Sequence, residues 1–490
     1  MDSVNHWGIL LAVMFYEIVV IVGIGAFLKT RERKSSSCEI GGFTLAGRSL
    51  PWPVVGVTLA LTVLGSPHIF GVLEMTWHIG AVSVWFGLAH VVLLVVACTS
   101  TGLWARRLNI TTMPEMLSLI FGGTPRLMVS CVMAGMVWGI LTLEAQGLGI
   151  IISTISGLPI AKGAIIGGML GTLYVVLAGM KEIGWVNLVN CFIMYVGLIL
   201  AFIYIAQGIP FGGWDGVAAV YLERGQGFML SMTGTPQLLL TFGVGTVLAT
   251  VTCHSVAQQL IQPALAAKDE KTIKKALWLA APLNGFFCVF VVCIGLAAKI
   301  DPAVNSLGPK LAGPAMFMHY LPPWLIALLF ATFLAAVLSS FAASVLAPAT
   351  IFTIDIYKNF FRPNLCEKEE ALVTRIGIVV LAALAIFAAG NMPPIVSAIN
   401  WLFAWITPVF FLILFGLFWR RSSIAATTTL LVAWSVNMLW SFTSLAEVLG
   451  VADVPNVYPA LISSLVVSIV MLLTTRTEPG LFRKQIFITA

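Results

Sequence analysis

Thirteen stretches of about twenty apolar residues, joined by short polar connections, decide what this chain can become. They lie near 6–28, 51–75, 80–104, 125–154, 160–179, 184–207, 236–259, 276–298, 323–349, 373–390, 395–419, 424–445 and 457–475. A helix of that length crosses the hydrocarbon core of a bilayer, where the backbone must satisfy its own hydrogen bonds. The expected fold is an all-α polytopic membrane protein with about 13 transmembrane helices. No connection is long enough to hold a soluble domain. Only 9% of the residues are charged and 59% are hydrophobic, too little polar surface for a soluble globule.

The few charges are sorted by side. Lys29, Arg31, Arg33, Lys34 and Arg48 follow the first span, and Arg106, Arg107 and Arg126 flank the end of the third. Lys181, Lys268, Lys271, Lys274, Lys275, Lys358, Arg362, Lys368 and Arg375 fall on the same side, as do Arg420, Arg421, Arg476, Arg483 and Lys484. Lys162, Arg224, Lys299 and Lys310 fall opposite. The positive-inside rule then predicts an N-terminus outside and a C-terminus in the cytoplasm, with the plasma membrane as the expected location. The net charge of +6 is this topogenic excess and gives no reason to expect nucleic acid as a partner. Asp2 stands where a signal peptide would be basic, and the first span is too long for a signal core, so it is expected to be retained. Cys98, Cys131, Cys191, Cys253, Cys288 and Cys293 sit within spans, and Cys38 and Cys366 in cytoplasmic segments. None has metal-ligand spacing, which predicts free thiols.

Ten consecutive spans, 51–75 through 395–419, follow one extra N-terminal span and precede two C-terminal ones. Five helices per repeat force opposite orientations, the 5+5 inverted-repeat plan of many secondary transporters. The expected units are 1–34 (extra helix), 43–208 (first repeat), 236–421 (second repeat) and 422–490 (two further helices and a tail). Such folds bind ligands where helices break near the midplane. Leu64-Gly65-Ser66-Pro67-His68 offers a break in the first core helix, because Pro removes an N–H and Gly permits irregular torsions. The matching helix near 236–259 has Gly243 and Gly245 but no proline. Gly163, Gly167, Gly168 and Gly171 read as close helix packing. The segment 262–276 reads as an interfacial or short cytoplasmic helix whose basic residues could touch anionic headgroups.

Polar residues inside spans are the functional candidates. Ala336, Ser339 and Ser340 share one helix face, which offers a carbonyl and two hydroxyls to a hard cation such as sodium. The plainer alternative is that the hydroxyls bond back to their own helix carbonyls. Glu144 falls mid-span, where it can be a structural carboxyl, a partner for the solute or a proton carrier. His68 follows the break and is a candidate cavity residue; His90 and His254 read as packed, hydrogen-bonded histidines. Trp138, Trp401 and Trp405 read as packing, with an aromatic wall for a cation as the alternative. No nucleotide-binding loop, catalytic triad or zinc motif is present, so the chain is not expected to be an enzyme.

Four segments, in order, resemble the sodium:solute symporter family. They are Phe43-Thr44-Leu45-Ala46-Gly47-Arg48-Ser49-Leu50-Pro51-Trp52, Thr112-Met113-Pro114-Glu115, Gln262 with Ala266-Ala267-Lys268, and Ala336-Val337-Leu338-Ser339-Ser340 with Ile354-Asp355-Ile356-Tyr357. The resemblance implies a leucine-transporter-like fold and a sodium site made by the carbonyls of Leu61, Leu64 and Ala336 with the side chains of Ser339 and Ser340. It also implies a solute site beside the break, for which Gly65, Ser66, His68, Glu144 and Gln258 are the candidates. Two departures stand out. Trp185-Val186-Asn187 replaces the family's frequent Trp-Thr-Asp, so Asn187 marks a possible ion exit path without its carboxylate. Ala257-Gln258 replaces the Asn-Gln pair of sugar-carrying members, and Pro263 the Arg of the Gln-Arg motif, which argues against a sugar. The expected activity is sodium-coupled symport of a small organic solute into the cell by alternating access, with sodium, the solute and the lipid bilayer as partners. Two alternatives remain: a proton-coupled carrier that uses Glu144, and a transporter-like solute sensor, which the short segment after Arg476 disfavours.

Overall fold

The computed structural model of the protein describes residues 6–32 and 42–483; Arg33, Lys34, Cys38 and Lys484 lie outside the described residues. Helix α1 (His6–Glu32) is the extra N-terminal helix. Helix α2 (Trp52–Val63) starts on Pro51 and Pro53, where missing N–H groups cost nothing. It stops at Leu64, and helix resumes at Pro67–Gly71 and runs on as α3 (Val72–Ile79). Next come α4 (Trp85–Val96), a short α5 (Met113–Phe121), α6 (Gly123–Ser156) and α7 (Ile160–Gly208). The second half holds α8 (Pro236–His254), α9 (Gln258–Leu265), α10 (Glu270–Ile300), α11 (Gly308–Tyr320) and α12 (Pro323–Phe361). It ends with α13 (Glu367–Ala388), α14 (Ile395–Phe403), α15 (Thr407–Phe418), α16 (Ser423–Phe442) and α17 (Val457–Thr474).

The all-α membrane architecture is as expected; the exact count of 13 spans is not confirmed. Among the described residues ten helical stretches are long and apolar enough to cross a bilayer; His6–Val20, Trp52–Val63 and Ile160–Val176 qualify only as shorter apolar helices. The spans expected at 160–179 and 184–207 join without a loop in the 49 residues of α7. The single helix expected over 262–276 is also divided. Gln262 belongs to the buried α9, and Asp269 starts α10 by accepting the Thr272 N–H at 2.7 Å.

Helix α12 forms the centre, with 89% of its apolar window buried against 22% for the peripheral α13. It packs on α6 and α7, which pack on each other. The glycines of α7 make this possible. A Cβ on Gly163 would meet the Gly149 carbonyl, one on Gly167 the Leu148 side chain, and one on Gly171 the Phe341 ring of α12. The basic residues gather at one end of the bundle. There Arg48 donates to the Asn109 and Ile110 carbonyls, Arg106 to those of Ala267 and Lys268, and Arg107 pairs with Glu270. At this basic end Leu50 pairs with the Ala266–Lys268 backbone through two hydrogen bonds, which gives the Ala-Ala-Lys segment a physical role as the anchor for the start of α2.

Candidate ion and solute site

The break after α2 frees carbonyls. An uninterrupted helix would satisfy Thr62 and Val63 with the N–H groups of residues 66 and 67. Pro67 has none, and the Ser66 N–H donates instead to Glu144 Oε2 at 2.9 Å. His68 and Ile69 N–H both turn to the Gly65 carbonyl. The last turn of α2 therefore ends deep in the bundle with its acceptors available, the condition for an ion site in a membrane helix.

Helix α12 brings hydroxyls to that end. Ser340 Oγ donates to the Leu61 carbonyl at 2.7 Å, across the interface between the two helices. Ser339 Oγ is buried with no hydrogen-bond partner. Elsewhere on α12, Thr332, Thr350 and Thr353 bond back to carbonyls of their own helix. The two serines do not, so the plainer alternative for this pair does not describe them. Leu61, Ala336, Ser339 and Ser340 are all buried, and Leu64 ends α2 beside them.

Glu144 reaches the same place from α6. Its Oε2 accepts the Ser66 N–H and the Ser66 hydroxyl, at 2.9 and 2.7 Å. The carboxylate thus caps the helix that restarts at Pro67. Gly65 has no Cβ to separate the groups around it: an added one would lie 2.5 Å from Glu144 Oε1 and 2.5 Å from Ser340 Oγ. Gly147, one turn along α6, makes room for Ser66 in the same way. Gly65 and Ser66, candidate solute contacts by sequence, lie here against Glu144 and Ser340.

A second helix break faces the first. Helix α8 ends at His254, Ser255–Ala257 is non-helical, and α9 starts at Gln258. Three buried imidazoles span the distance between the breaks. His68 meets His90 of α4 with ring centroids 4.5 Å apart, and His90 meets His254 at 5.6 Å. Phe86 packs on His68 and His90, and Phe403 on His254. His90 Nδ1 donates to the Phe86 carbonyl at 2.7 Å, which leaves Nε2 of the neutral ring as an acceptor. Ser344 donates to Gln259 Oε1, so Gln259 Nε2 is the donor to His254 Nε2, and the His254 proton sits on Nδ1. That Nδ1 has no partner, and neither has either nitrogen of His68. Asn284 donates to the Ala60 carbonyl, and its Oδ1 is unpartnered. His68 faces the Val63 carbonyl and the Asn284 side chain without closing a hydrogen bond to either.

This row of unsatisfied polar atoms is what the sequence reading missed. His90 and His254 each hold one hydrogen bond, as expected of packed histidines, but their alignment with His68 exists only in the fold. Gln258, a candidate solute contact, is engaged at the basic end. Its Oε1 accepts the Met113 N–H at 2.8 Å and its Nε2 donates to the Thr111 carbonyl at 3.1 Å. Asn187 lies buried on α7 with Nδ2 unpartnered.

Residues 43–431 match the profile of the Sodium:solute symporter family. The sodium/glucose cotransporter of Vibrio parahaemolyticus is 25% identical over 457 residues, covering 86% of this chain and 83% of that protein. Sodium/glucose cotransporter 4 of Danio rerio is 27% identical over 424 residues, which is 77% of this chain but 62% of the longer fish protein. The solved structure of a Na+-coupled sialic acid symporter, substrate-bound and outward-open, superposes with a TM-score of 0.79 at 17% identity, over 96% of this chain and 99% of that one. It is a likeness of fold. The match across most of the chain decides the relationship: this protein belongs to the sodium:solute symporter family, and is a membrane transporter, not an enzyme, that moves a small-molecule solute together with sodium.

Proposed function

We propose that the chain imports a small organic solute by alternating access, with sodium held between α2 and α12 and the solute held at the histidine row between the two helix breaks. The carrying observation is the 2.7 Å contact between Ser340 Oγ and the Leu61 carbonyl, beside an unpartnered Ser339 hydroxyl. The ion would be ligated by the carbonyls of Leu61, Leu64 and Ala336 with the hydroxyls of Ser339 and Ser340, an all-oxygen set of the kind hard cations take. It would replace the Ser340–Leu61 hydrogen bond by joining both atoms, and so fasten α2 to α12. The repeats would be 43–208 and 236–421, with the breaks at Gly65–Ser66 and Ser255–Ala257 in the first helix of each. The protein would sit in the plasma membrane with its basic end in the cytoplasm.

Imidazoles and a carboxamide read hydrogen-bonding groups, and Phe86 and Phe403 supply apolar walls. The free nitrogens of His68, the Nδ1–H of His254 and Asn284 Oδ1 suit a solute with both donors and acceptors. Glu144 is not a solute partner in this reading, because its Oε2 is held by the Ser66 N–H and hydroxyl. The test uses purified protein. Sodium should raise its melting temperature where potassium does not, and the shift should vanish in Ser339→Ala/Ser340→Ala. A panel of labelled polyols, amides and amino compounds in sodium-loaded proteoliposomes would then identify the solute, with His68→Ala losing uptake. An unchanged sodium shift in the double variant would remove sodium from this position.

A further inference from the structure

We infer that Glu144 is the fixed negative charge of the sodium site, a site otherwise made only of carbonyls and hydroxyls. The inference rests on the sodium position proposed above, and deepens it. Three helices converge on Gly65. From α2 comes the Leu61 carbonyl, which accepts the Ser340 hydroxyl of α12 at 2.7 Å. From α6 comes Glu144, 2% exposed, whose Oε2 is held by the Ser66 N–H and Oγ. Its Oε1 lies 2.5 Å from where a Cβ on Gly65 would stand, and Ser340 Oγ lies at the same 2.5 Å. The missing side chain leaves a carboxylate oxygen and an ion-site hydroxyl bordering the same methyl-sized space. Ser339 Oγ, 2% exposed and unpartnered, completes the polar lining.

Charge balance gives this arrangement a function. An ionised carboxylate at this depth needs a counter-charge, and the groups acting on Glu144 are the two neutral donors of Ser66. A sodium ion taken by carbonyl and hydroxyl dipoles alone keeps its full positive charge in an apolar interior. Each supplies what the other lacks, and their attraction acts where the dielectric is low. The carboxylate that would face the ion also caps the helix restarting at Pro67, so ion occupancy and the position of α3 are joined through one side chain. When sodium leaves, the clamp on Ser66 loses its electrostatic partner and α3 is freer to move against α6.

The test separates charge from capping. Glu144→Gln keeps an oxygen to accept from Ser66 but removes the charge, and Ser66→Ala keeps the charge but removes one clamp. Binding of radiolabelled sodium to the purified full-length protein should weaken roughly tenfold or more in E144Q, the scale of one lost unit charge a few ångströms away in a partly polar site. Its melting temperature in potassium should stay at the wild-type value. S66A should bind sodium within about threefold of wild type, since a neutral donor carries no net charge. E144Q binding within about twofold of wild type would overturn the role of Glu144. The sodium position would survive that result if Ser339→Ala/Ser340→Ala still abolishes binding. Absence of sodium-selective binding in the wild type would overturn both. Should E144Q fail to fold, the wild-type chain decides. Modification of Glu144 by dicyclohexylcarbodiimide, read by mass spectrometry against Glu17 and Glu74, should be suppressed by sodium and not by potassium. Equal modification in both salts would sink the inference.

Discussion

Gly147 shows how much of this site depends on atoms that are absent. A Cβ there would overlap the Ser66 hydroxyl that Glu144 holds. Gly147→Ala should therefore push α6 away from the break and cost about 1–3 kcal/mol, the usual toll of overpacking a tight core. The expected reading is a melting temperature several degrees lower with sodium affinity reduced as well; an unchanged protein would mean that the two helices are less closely seated than described. Such residues mark the limit of what sequence discloses. Ser339, Ser340 and Glu144 announce themselves as polar residues in apolar runs, and the Gly-Ser-Pro break is visible from its chemistry. Gly147 looks like any membrane glycine until Ser66 is set against it. The histidine row is hidden for the same reason: His68, His90 and His254 are far apart in sequence and meet only because the helix resuming at Pro67, the middle of α4 and the end of α8 lie against one another.

The helices were easier to anticipate than their interruptions. Apolar length alone locates nearly every crossing, because lipid leaves the backbone no alternative to helix. The first break carries a proline, whereas Ser255–Ala257 carries neither proline nor glycine, so nothing local betrays it. It is held open from outside, with Gln258 bound to the Thr111–Met113 backbone and Gln259 to His254 and Ser344. The start of α10 is set by a local cap, not by the run of apolar residues. Asp269 accepts the Thr272 N–H, and that bond holds its carboxyl below the ordinary aspartate range. A lowered pKa means that the cap stabilises the helix above the usual range and fades as pH falls through the lowered value. Asp269→Ala should speed amide hydrogen exchange over residues 271–276 at neutral pH, while Asp269→Ser, another good cap, should not. Equal protection in all three proteins would show that the start of α10 is held by packing alone.

For the molecule to work by alternating access, each end must close with contacts that can also be released. At the far end Glu74 of α3 receives the Ile395 N–H at the start of α14, and Gly71 lies against Val396. The basic end is tied more firmly. Asp355, at the end of α12 and fully buried, accepts Arg126 Nε at 2.7 Å and the Thr112 hydroxyl at 3.0 Å. Thr112 caps α5 reciprocally with Glu115, and the backbone on either side of it, at Thr111 and Met113, is held by Gln258 of α9. One cluster thus links α5, α6, α9 and α12, and includes the helix that follows the second break. Arg126→Ala leaves Asp355 buried without its counter-charge, a loss of roughly 3–5 kcal/mol if the group stays ionised. That loss falls on the closed arrangement, because opening would hydrate the carboxylate. Cys253, fully buried beside His254, can report the difference. Arg126→Ala and Gln258→Leu should each raise modification of Cys253 by a small maleimide, read residue by residue by mass spectrometry, with sodium binding retained. Modification at the wild-type rate in both would mean that this cluster does not hold the basic end shut, and that closure depends on the Leu50–Ala267 pairing instead.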